Sequence, residues 1–80
     1  MIVKADKRFQ NVFDQLIRHG KAYTFDMSIP RNFAKVYPEL IDNKFLDIGH
    51  SQRTGETLFV TRPFVQIRPG KKRYEFYKIL

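Results

Sequence analysis

Cysteine and tryptophan are both missing from the 80 residues, and glycine and proline occur only four times each. Without cysteine, neither a disulfide framework nor a thiolate zinc site can hold a small fold together, and a reducing, cytoplasmic setting is the expectation. Long apolar runs are also missing. None exceeds three residues (Met1-Ile2-Val3 and Leu58-Phe59-Val60), so neither a membrane span nor a signal-peptide core is expected. Acidic charge is scarce, with eight Asp and Glu against fifteen Lys and Arg, leaving a net charge of +7. A chain with that surplus on a small surface attracts anions.

Aromatic side chains are what the chain has instead. Eight Phe and four Tyr are enough for the core of one small domain over residues 1–80, because a chain this short supports one core and no second domain. The 42% apolar content is that of a folded protein.

Periodicity divides the chain into a helical first half and a strand-rich second half. Phe9, Val12, Phe13, Leu16 and Ile17 fall on one stripe and predict a helix from about Asp6 to His19, capped by Asp6. Arg18 and His19 suit its negative end, and Gly20 suits the left-handed residue that closes it. The alternation in Ala22 to Asp26 predicts a short strand, followed by a helix that starts at Ser28 with Pro30 in its first turn. Pro38 then requires one of two outcomes, a kinked helix or a short helix to Val36 followed by another beginning at Glu39.

Strands are expected at Phe45 to His50, at Thr57 to about Ile67 with a bulge or edge position at Pro63, and at Arg73 to Ile79. The pair Pro69-Gly70 predicts a type II turn between the last two. The fold class is therefore α+β, with N-terminal helices followed by a small antiparallel sheet and a C-terminal β-hairpin. Helix, strand, two helices and a hairpin with a basic tip follow one another in the order found in winged helix-turn-helix domains, which the chain resembles in organisation, without a diagnostic motif. That resemblance implies a helix in the major groove and a wing on the backbone or in the minor groove.

Most of the positive excess lies late. From Ile48 to Leu80 there are seven basic and two acidic residues. Arg68, Lys71, Lys72 and Arg73 surround the expected turn and are the first candidates to neutralise phosphates. Arg31, Asn32 and Lys35 on the second helix are candidates for contact with backbone or bases, and Lys44 and Arg53 are further candidates. The bland alternative is that such turns and helix faces are only solvated surface. Glu39 and Asp42 would repel phosphate and suit a protein contact better.

The leading expectation is a non-enzymatic, nucleic-acid-binding protein without metal or cofactor, acting on DNA rather than RNA, of a regulatory or accessory kind such as phages and plasmids encode. A second expectation is an inhibitor or adaptor that binds a host protein, or a homodimer formed through the aromatic C-terminal strand with Tyr74, Phe76 and Tyr77. A third is a small ribonuclease of the bacterial toxin type, in which the basic tip would stabilise charge while Tyr74, Tyr77 and His50 moved protons.

Overall fold

Among the described residues, three short helices and six strands follow one another in the order β1 (Ile2–Ala5), α1 (Gln10–His19), β2 (Lys21–Thr24), α2 (Ser28–Val36), α3 (Pro38–Asp42), β3 (Leu46–His50), β4 (Thr57–Thr61), β5 (Val65–Pro69) and β6 (Tyr74–Lys78). The structure is a computed structural model, and it describes residues 1–26 and 28–79. The strands form two antiparallel three-stranded sheets, β1-β6-β5 and β2-β4-β3, and the C-terminal hairpin β5–β6 belongs to the first. No helix among the described residues is long and apolar enough to cross a membrane.

α1 is shorter at its start than the periodicity predicts, because Asp6 does not cap it. The Asp6 carboxylate instead accepts the Arg8 amide at 3.0 Å and the Tyr37 hydroxyl, and helical geometry begins only at Gln10. The other end is as expected. Gly20 takes φ 72° and its N–H donates to the Leu16 carbonyl at 2.9 Å, a backbone conformation that side-chain-bearing residues adopt only at a cost. At Pro38 the chain forms two helices, not one kinked helix. Tyr37 adopts φ −127°, outside helical space, and Pro38 opens α3, where its missing N–H is not needed.

The strand expected over Thr57 to Ile67 is two strands in different sheets. Pro63 neither bulges nor lies along an edge. It sits in a turn from Arg62 to Val65, closed by the Val65 N–H donating to the Arg62 carbonyl at 3.2 Å, with Phe64 at φ 65°. Proline followed by a residue of positive φ, with that hydrogen bond, is the pattern of a type II turn. The sequence places this turn at Pro69-Gly70 instead, but Pro69 ends β5, and among the described residues positive φ is confined to Gly20, Lys44, Gly55 and Phe64. β1, which the sequence reading does not anticipate, pairs with β6 from Ile2↔Tyr77 to Ala5↔Tyr74.

Aromatic rings knit the two sheets to the helices. Phe13 on α1 is fully buried, with ring centroids 4.8 to 5.7 Å from those of Phe33, Tyr37, Tyr74 and Phe76. Phe33 on α2 reaches Phe59 in the second sheet at 4.7 Å. α1 thus touches the first sheet through Phe13 and also packs directly on β2 and β4 of the second.

Candidate nucleic-acid interface

Sheet β1-β6-β5 positions the candidate interface. Ala5, Tyr74 and Phe76 turn one face of this sheet into the core, which sends the tip of the β5–β6 hairpin past the end of the sheet into solvent. Lys71 and Lys72 stand at the apex between Gly70 and Arg73, and the Gly70 N–H donates to the Arg73 carbonyl at 3.0 Å. The turn is tight. A Cβ on Gly70 would lie 2.8 Å from that carbonyl oxygen, so glycine is needed here for close approach and not for a positive φ.

Beside the tip lies an open groove of about 720 Å³, lined by Lys4, Ala5, Asp6, Arg8, Lys35, Val36, Tyr37, Glu39, Lys72 and Arg73. Five cations from β1, the turn after it, the end of α2 and the hairpin meet there, against two carboxylates. β1 lies beside the hairpin base, with Ala5 paired to Tyr74 and Lys4 to Glu75, and Lys4 reaches the groove that Arg73 also lines. Arg31 is one helical turn before Lys35 and therefore on the same side of α2.

One of the two carboxylates is already engaged. The Tyr37 hydroxyl, then the Arg8 backbone amide, hold the Asp6 carboxyl below its ordinary pKa, and the Arg8 guanidinium lies 3.5 Å away. Burial first, then the bond to Asp6, raise the pKa of Tyr37 strongly, so its hydroxyl stays protonated and keeps donating. Among the described residues the ion pairs are Arg8–Asp6 and Arg62–Asp47, which leaves Lys4, Lys35, Lys72 and Arg73 without a carboxylate partner within 4.0 Å.

The residues picked from the sequence do not all converge. Lys35, Lys72 and Arg73 line the groove, while Arg31, Asn32 and Lys71 are exposed. Arg68 lies away from the apex, on the outer face of the sheet, with its guanidinium 5.6 Å from the centre of the Tyr77 ring and Glu75 as its paired residue across the strands. Arg53 sits in the loop between β3 and β4, in the other sheet, where the Ser51 and Glu56 backbones close the loop. Lys44 is elsewhere again, beside Arg62, Pro63, Phe64 and Lys78.

Lys4 and Arg8 were missed by the sequence reading. No local signal marks them, since Ile2-Val3-Lys4-Ala5 becomes a strand only through its pairing with β6.

The proton-transfer group expected of a ribonuclease is not assembled at the tip. Tyr74 is buried with its hydroxyl donating to Asp14 at 3.0 Å, and burial, then that bond, raise its pKa. Tyr77 donates to Gln66, and His50 ends β3 in the second sheet. No group of three or more His, Asp or Glu among the described residues is placed to hold a metal ion. Tyr74 and Phe76 point inward and β6 is the middle strand of its sheet, which leaves Tyr77 as the aromatic of that strand on the outer face. No family model, no curated protein and no solved structure matches the chain.

Proposed function

We propose that the chain is a nucleic-acid-binding protein that holds the phosphate backbone of duplex DNA in the groove between the hairpin tip and the end of α2. The observation that carries this reading is the meeting of Lys4, Arg8, Lys35, Lys72 and Arg73 in one groove, four of them without an ion-pair partner among the described residues. Cations with no internal partner are available to phosphates, and those carried on a sheet and a helix are held at fixed spacing. Arg31 and Lys71 extend the same surface on either side.

The winged-helix relationship is part of the proposal. Its support is the succession α1, β2, α2, α3, β3, β4 with the strand order β2-β4-β3. On that alignment the wing is the loop carrying Arg53, between β3 and β4, and the basic C-terminal hairpin is an addition. α3, in the place of a recognition helix, has five residues and exposes Glu39 and Asp42. A helix of that length and charge is poorly suited to reading base edges, so binding here tracks the backbone and discriminates weakly among sequences.

The test is a Lys72→Glu/Arg73→Glu variant assayed by electrophoretic shift on a 20-base-pair duplex. Both side chains are exposed, so the fold is retained. A loss of affinity of at least tenfold is expected, and unchanged affinity rejects the groove.

A further inference from the structure

At the opposite end of β6 from the hairpin tip, Lys44, Arg62, Pro63, Phe64 and Lys78 line a shallow depression of about 330 Å³. Phe64 is 73% exposed there, and it occupies the position of a type II turn that ordinarily belongs to glycine. Lys44, beside it, also has a positive φ of 64°. Among the described residues these two are the side-chain-bearing positions with left-handed backbone, and they share one site. Unfavourable backbone geometry of this kind clusters where function requires it.

Two of the surrounding cations, Lys78 and Arg62, are held in place. The Lys78 ammonium donates to the Asn43 carbonyl at 2.8 Å and lies 5.1 Å from the centre of the Phe45 ring, and Arg62 bonds both Asp47 oxygens at 3.0 and 3.1 Å. The Ile79 N–H donates to the Phe64 carbonyl at 2.6 Å, which ties the turn to the end of the sheet.

We propose that Phe64 is a stacking platform for an unpaired nucleotide, whose base lies on the ring while Lys44 and Lys78 take its phosphates. A ring that stands out of a shallow depression offers its flat face to a flat partner, whereas an apolar peptide side chain requires an enclosing pocket. Base stacking on an aromatic side chain, combined with nearby cations, is the means by which proteins hold single strands without reading their sequence. The site is separate from the duplex groove and does not depend on it.

The probe is an eight-nucleotide oligothymidylate, with octaglutamate and a short duplex as comparisons. Phe64→Ala weakens oligothymidylate binding by roughly 5- to 150-fold, the range expected for one stacked base. Because the chain has no tryptophan, Phe64→Trp supplies a sole indole reporter that keeps the platform, and oligothymidylate quenches its fluorescence. Absence of quenching at saturating oligonucleotide overturns the proposal. So does equal binding by Phe64→Ala and the unaltered chain, or octaglutamate binding that is tighter than oligothymidylate and lost in Phe64→Ala, which identifies an acidic protein partner instead.

Discussion

The bond between Tyr37 and Asp6 fastens the segment before α1 to the segment between α2 and α3, 31 residues apart. Its loss in Tyr37→Phe is expected to cost about 1 kcal/mol, because the acceptor is charged but half-exposed, and to lower the melting temperature by about 4–8 °C. Asp6 titrates lower in the folded chain than in the unfolded one, where the ordinary value is 3.8. Its ionised form therefore adds stability that is fully present above that value and is lost as pH falls through the lower folded value. In Tyr37→Phe the Asp6 pKa rises towards 3.8, which carboxyl NMR titration reads directly, and acid unfolding becomes correspondingly less dependent on this residue.

Phe64 supplies a second test at this scale. Glycine there removes a left-handed backbone penalty of about 1–2 kcal/mol and adds about 0.5–1 kcal/mol of chain entropy, so Phe64→Gly is expected to stabilise the fold by about 0.5–1 kcal/mol in urea denaturation. A stabilised variant that no longer binds single strands would mean that the phenyl ring is retained for contact and not for folding. Neither residue could be read from sequence. Asp6 looks like a helix cap because it precedes an apolar stripe, and nothing local reveals a tyrosine 31 residues away. Phe64 looks like part of a strand because a type II turn is recognised by glycine, and here phenylalanine takes its place.

Among the elements, α1 was the most legible. Five apolar residues at helical spacing and a glycine stop leave little freedom, and Val12, Phe13 and Leu16 are buried as that spacing requires. Phe13→Ala empties the site where α1 meets α2 and the first sheet. It is expected to cost about 3–5 kcal/mol, a large part of the stability of a chain this size, measured as a shift of the urea midpoint. The hairpin β5–β6 was also legible from its glycine and its flanking alternation. Two features were not. β1 has only four residues and becomes a strand through its pairing with β6, about seventy positions later. The division at Pro63 separates two sheets, a distinction that strand propensity alone does not carry.

For the whole molecule, the net charge of +7 predicted an anionic partner class but could not say which cations act together. The nine positions chosen from local sequence are spread over the groove, the exposed face of α2, the hairpin apex, the outer face of the first sheet, the β3–β4 loop and the Phe64 depression. Pairing of β1 with β6 brings Lys4 and Arg8 beside Lys72 and Arg73, and that long-range pairing is absent from any sequence window. The resulting arrangement has one basic surface at each end of β6. On the proposed reading, one end grips a duplex backbone and the other an unpaired base, which suits a junction between double- and single-stranded nucleic acid.

The central claim is that the groove cations neutralise duplex phosphates, and the salt dependence of binding tests it most directly. Five cations line the groove and Arg8 is shared with Asp6, so on this proposal about four phosphates would be neutralised. Fluorescence anisotropy on a 20-base-pair duplex between 50 and 200 mM salt should then give a slope of log affinity against log salt near −4, and Lys72→Glu/Arg73→Glu should flatten it by about 2. A slope of −1 or shallower for the unaltered chain, or the same slope in the variant, would contradict the account.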